Sequence, residues 1–220
     1  ETDPFEDIDP RDYLPVDFST RELRVGEDDY GSWQVAFRPD EEGAVLTDVR
    51  ASVRGLQVVG ESAISWRPTR DGGHSTFQGT VRTDDLAKAL TEFGYASSIE
   101  GKGMQFGADI SWPGSPAMID LLKLKGQVAI ESGQGRFVQV ERGGTGALKL
   151  LGIFDFASLA RRFRFDVSYI VDSGYTFDKV TGVVGFNEGR VDIVDPVVIE
   201  GASSIFKVGG SVDLDAETLD

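Results

Sequence analysis

The side chains that could do chemistry are few, and their spacing supports little of it. The single histidine, His74, sits in the turn "DGGHST". It has no second histidine with which to hold a metal. A serine–histidine–carboxylate relay would rest on that one ring, with no nucleophile-elbow motif nearby. The acid pairs Asp28–Asp29, Glu41–Glu42 and Asp84–Asp85 fall where turns and helix caps use carboxylates, and none carries a motif for glycan hydrolysis. "GGTG", residues 143–146, could cradle an anion before a helix but lacks the lysine and hydroxyl residue that complete a phosphate loop. "DVSYIVDSG" has scattered carboxylates without calcium-loop spacing. The chain has no cysteine, which excludes disulfides, thiolate metal sites and cysteine nucleophiles. These residues argue for a non-enzymatic protein with no cofactor and no metal.

What the sequence does contain is strands with one greasy side. In "MQFGADISWPG", every second residue from Met104 is apolar: Met104, Phe106, Ala108, Ile110, Trp112. The intervening Gln105, Gly107, Asp109 and Ser111 are polar or bare, which is the signature of a half-buried strand. The same alternation predicts a face of Val45, Thr47, Val49, Ala51 and Val53, with Leu46 the one apolar residue in the opposite set. Further strands are expected at Leu56–Trp66, around Phe77–Val81, and in "LKGQVAIES", "RFVQVE", "FRFDVSYIV", "KVTGVVGFN", "RVDIVDPVVIEG" and "SIFKVGGSVDLD". "NEG", residues 187–189, reads as a hairpin turn. Three short helical stretches interrupt this rhythm. Asp84 is placed to cap "DDLAKALTEFG", where Leu86, Leu90 and Phe93 share a face. Ser115 and Pro116 open "SPAMIDLL". Leu148, Leu151, Phe154 and Leu159 fall at helical spacing within 144–163. The expected fold class is mainly β: a long, curled antiparallel sheet, a groove-like meander, with a few short inserted helices. An acidic, proline-bearing extended arm is expected over 1–20 and one β-groove domain over 21–220, with a sub-division near 103.

The totals limit the partners. The chain has 220 residues and a formal net charge of −15. Such a surface repels nucleic-acid phosphates and does not adhere to anionic membranes through a basic patch. No stretch approaches the roughly 18 apolar residues a membrane helix needs. The alternating faces admit two readings from periodicity alone. They fill a β-sandwich core, giving a structural or interaction module that docks a partner protein. Or they line an open groove that holds an apolar ligand.

The chain resembles the YhdP family of AsmA-like proteins. The resemblance is carried by "ISWPGSP", "LKLKGQVAIESGQGRF", "GALKLLGIFDFASLARRFRFDVSYI", the Gly174, Phe177, Asp178, Val180, Gly182 segment and the terminal "GGSVDLD". Earlier, "LPVDFSTRELRVGEDDYGSWQVAFRP" and "GTVRTDDLAKALTEFGYA" also match the family's strand pair and strand–helix unit. Ala147, Leu148 and Lys149 stand where the family commonly has an arginine. The resemblance implies a periplasmic segment of a phospholipid-transport protein, whose full length is anchored in the inner membrane and whose hydrophobic groove carries acyl chains towards the outer membrane. The residues then expected to line the groove are Met104, Phe106, Ile110, Trp112, Phe165, Val167, Tyr169, Val191 and Ile193. Leu86, Leu90 and Phe93 on one helix, and Leu148, Leu151 and Phe154 on another, are expected to cap it. The expected partners are a phospholipid or other acyl-chain ligand and envelope proteins, not nucleic acid.

Overall fold

The computed structural model describes residue 3 and residues 5–25, 28–69, 73–92, 99–137, 175–213 and 218–219. Its strands are β1 (Val16–Thr20), β2 (Arg24–Val25), β3 (Asp28–Asp29), β4 (Ser32–Asp40), β5 (Gly43–Val53), β6 (Leu56–Arg67), β7 (His74–Thr83), β8 (Ile99–Gly101), β9 (Met104–Pro113), β10 (Lys125–Ser132), β11 (Gly135–Phe137), β12 (Thr176–Phe177), β13 (Lys179–Asn187), β14 (Arg190–Glu200), β15 (Ile205–Val208), β16 (Ser211–Asp213) and β17 (Thr218–Leu219). One sheet runs in the order β1-β4-β5-β6-β7-β9-β10-β13-β14-β16-β17, with β15 also on β14. The pairings with a described register are antiparallel. The order has two ends, so the sheet is not closed into a barrel. A three-stranded sheet, β12-β11-β8, and the pair β2-β3 are separate from it.

The chain divides into two compact units. Unit 1 holds residues 1–82, 106–128 and 185–189, and unit 2 holds 83–105, 129–184 and 190–220. In unit 1 the strands turn tightly. The β13–β14 hairpin expected at "NEG" closes through Glu188 (φ 46°) and Gly189 (φ 85°), both left-handed, which matches the twist of the flanking strands. In unit 2, Gly135 of β11 lies so close to its neighbours that a Cβ there would sit 2.3 Å from the Glu100 carbonyl and 2.4 Å from the Phe177 ring. Only glycine permits that approach.

The expected face of Val45 to Val53 is corrected in its first half. The β5 pairings shift register by one residue between Leu46 and Ala51, and Asp48 there has φ 52°. This is a β-bulge, and an extra residue reverses which side each later side chain takes. Leu46 therefore stands opposite Phe37 and Ile64, on the same side as Val49 and Ala51. Val45 stands opposite Arg38 and Ser65, on the polar side. Leu46 is thus no exception to the pattern. Asp48→Gly is expected to be neutral or to stabilise by up to about 1 kcal/mol, because glycine takes positive φ without strain. Asp48→Val, β-branched, is expected to destabilise by about 1 kcal/mol or more. Urea midpoints of the two variants check both.

Three other local expectations change. The acidic stretch over 1–20 does more than extend: it forms a 3-10 turn, Pro10–Asp12, with Pro10 buried, and then β1, which pairs with β4. "SPAMIDLL" is not a helix. Its start is one turn closed by Met118 N–H donating to the Ser115 carbonyl, and its end is a 3-10 turn, Leu121–Lys123, capped by Asp120. The α-helix Leu86–Glu92 is capped by Asp85, whose carboxylate accepts from Lys88 N–H at 2.9 Å, rather than by Asp84. The helices expected within 144–163 and the strand "FRFDVSYIV" lie outside the described residues.

Candidate functional site

In unit 1 the registers place one apolar side of the sheet strand by strand. Val16 and Phe18 of β1 stand opposite Phe37 and Val35 of β4. Phe37 stands opposite Leu46, Leu46 opposite Ile64, and Ile64 opposite Phe77. Phe77 then packs with Ile110 and Trp112 of β9 and with Leu124 in a buried cluster. Around this quartet lie Val58, Ile64, Val81, Ala108, Val128 and Phe186, all only partly buried. Trp33, Trp66 and Trp112, all the tryptophans of the chain, belong to this side.

The opposite side is polar and knitted together. The Ser65 and Thr76 hydroxyls are 2.6 Å apart, the Gln78 amide donates to Asp109 at 3.2 Å, and Arg67 pairs with Asp40 at 2.6 Å. Arg67 holds the Asp40 carboxyl below the usual carboxylate range, chiefly through that hydrogen bond. The apolar side therefore gains its burial from hydrocarbon contacts and the other from solvated polar pairs, as a one-sided antiparallel sheet requires.

One end of the apolar side is organised by the turn after β9. The Trp112 indole N–H donates to the Ser115 carbonyl at 3.0 Å. Ser75 Oγ donates to the Gly114 carbonyl at 2.9 Å, and Gly114 N–H donates to the Gly73 carbonyl at 2.9 Å. The Asp3 carboxylate accepts from Ser115 N–H at 2.8 Å and from Ser115 Oγ at 2.7 Å. Desolvation pushes the Asp3 pKa up, but the Ser115 and Phe5 hydrogen bonds outweigh it and the net shift is down. A depressed carboxyl contributes stability that is fully present above its unfolded value near 3.8 and lost as pH falls through the lower folded value. Ser115→Ala is accordingly expected to destabilise by about 1 kcal/mol or more at neutral pH. The gap from the parent chain should narrow on acidification below that window, as read by urea unfolding at successive pH values.

The residues expected to line a groove fall into separate groups. Ile110 and Trp112 meet in the unit 1 cluster, and Phe106 is half-buried on the same strand. Met104 is buried in unit 2, its sulfur placed so that a Cβ on Gly101 would lie 2.8 Å away. Val191 is buried, and Ile193 packs in unit 2 against a core of Phe137, Phe177, Val180, Val197 and Ile199. That core is two layers thick: Phe137 and Phe177 come from the small sheet and stand 5.3 Å apart, facing Val180 of β13 and Val197 and Ile199 of β14. Leu86 and Leu90 are half-buried on their helix, whose buried residue is Ala89. Phe93, Leu148, Leu151, Phe154, Phe165, Val167 and Tyr169 lie outside the described residues. Periodicity put Phe77 on a strand face but did not join it to Leu124, Val128 and Phe186, because the pairing that unites them is long-range. His74 is exposed at the start of β7. Among the described residues no three His, Cys, Asp or Glu side chains are grouped to hold a metal ion.

The family model for the YhdP protein matches residues 1–220. The chain belongs to the YhdP family. No curated protein and no solved structure matches it significantly. In this YhdP-family chain, the open antiparallel sheet agrees with the fold that the sequence resemblance implied. Among its described residues no helix is long and apolar enough to cross a membrane.

Proposed function

We propose that this YhdP-family chain is a non-enzymatic segment of a periplasmic phospholipid-transport protein, anchored at full length in the inner membrane, and that the apolar side of unit 1 holds acyl chains. The observation that carries this reading is the incomplete covering of that side. Six apolar residues around the buried quartet keep part of their surface, and at the β1 edge Val16 and Phe18 remain 53% and 41% exposed. A filled sandwich would bury such positions as fully as Trp112, which is 3% exposed. The energetics suit a conduit. Each buried methylene contributes about 0.8 kcal/mol, so a tail of about 16 carbons gains at most ~12 kcal/mol before the cost of ordering it. Contacts spread along several strands, with no fixed polar anchor among them, let a chain slide rather than lodge.

The test is native mass spectrometry of the purified chain with and without Phe106→Asp. Phospholipid is expected to co-purify with the parent and to be lost from the variant. The variant should keep its far-ultraviolet dichroism, because Phe106 is only half-buried. Lipid retained by a folded Phe106→Asp variant, or none ever found on the parent, removes the reading. The filled interaction module is the second reading, and the two-layer core of unit 2 favours it for that unit.

A further inference from the structure

The segment before β1 crosses the end of the apolar side that carries Trp66 and Trp112. Asp3 is held at Ser115, in the turn after β9. The Phe5 ring lies 6.1 Å from the Trp66 ring of β6, tilted by 49°. The 3-10 turn Pro10–Asp12 packs against β4 and β5, with Pro10 buried. Trp66 stands opposite Ala44 on one neighbouring strand and Ser75 on the other, both fully buried. The crossing is firm at Pro10 and light at its start. At its start Asp3 holds Ser115 through its carboxylate and Phe5 meets Trp66 ring to ring, and Phe5 keeps 41% of its surface exposed.

We infer that Asp3 and residues 5–12 form a strap that closes this end of the apolar side, with Phe5 seated on Trp66 in the place a hydrocarbon chain would take, and that release of Asp3 from Ser115 opens it. The inference rests on the lipid reading above and adds a gate to it. The chemistry recognised is that of a single long acyl chain, which stacks no ring and makes no hydrogen bond. It gains only contact with Trp66 and its neighbours, and so competes directly with Phe5.

The chain has no cysteine, which makes a reversible lock practicable. Asp3→Cys/Ser115→Cys would join two side chains whose oxygens now lie 2.7 Å apart. The probe is a dibrominated fatty acid, which quenches tryptophan fluorescence on contact. The oxidised lock is expected to slow quenching about tenfold or more relative to the same sample after reduction, an ordinary size for a coupled equilibrium. Asp3→Ala is expected to speed it relative to the parent. Reduction restores the same molecule, so misfolding of the variant cannot imitate the effect. Equal quenching rates in the oxidised, reduced and Asp3→Ala proteins overturn the strap. Absence of quenching in every form, with the disulfide formed, instead removes the lipid reading itself.

Discussion

Trp112→Ala is expected to cost about 3–5 kcal/mol of stability, the range for removing a large buried aromatic. The side chain is 3% exposed and packs among Phe77, Ile110 and Leu124. It also supplies the donor to the Ser115 carbonyl, so truncation leaves that oxygen without the indole hydrogen bond. Domains of this kind are stable by only about 5–15 kcal/mol, so the variant should sit near the threshold of folding. Equilibrium urea unfolding measures it. Trp112→Phe separates the two contributions, because it keeps most of the ring contact and removes the donor. Its expected loss is about 1–2 kcal/mol. A Trp112→Ala variant as stable as the parent would mean that the quartet is not a core at all.

The second large effect belongs to unit 2. Phe137→Ala is expected to destabilise by about 3–5 kcal/mol, because Phe137 is 2% exposed and joins the small sheet to the residues of β13 and β14. Its ring meets Phe177 at 5.3 Å and 54°. A double-mutant cycle through Phe177→Ala should return a coupling of about 0.5–1.5 kcal/mol beyond the burial of either ring. Strict additivity would contradict the ring contact.

Strands were legible where a single side of the sheet is buried, because a period of two is then forced on the residues. Met104 to Trp112 and Lys179 to Glu200 illustrate this, as does the Glu188–Gly189 hairpin. The β1 strand was not legible from alternation, only from the family resemblance of "LPVDFST": Pro10 and Pro15 precede it, and its five residues, Val16 to Thr20, are too few for alternation to outweigh the acidic surroundings. The Asp48 bulge was also hidden, since aspartate tolerates a left-handed backbone without announcing it. Nor could the sequence tell a filled layer from an uncovered one. Val180 and Val58 occupy similar alternating strands, yet one is buried under a second sheet and the other is only partly covered. The difference lies in Phe137 and Phe177, which alternation alone cannot assign to a second layer. The Asp3–Ser115 contact joins residues 112 positions apart and leaves no local trace.

The odd residue at Asp48 means that β5 keeps one greasy flank while the residues that supply it switch from even to odd numbers partway along. Any threading of related chains by strict two-residue rhythm will run one step out of phase over half of this strand, and will mistake positions on the apolar side for positions on the polar one. Aligning such chains requires a one-residue gap at the kink, after which Leu46 and Val49 fall into the same column of the pattern.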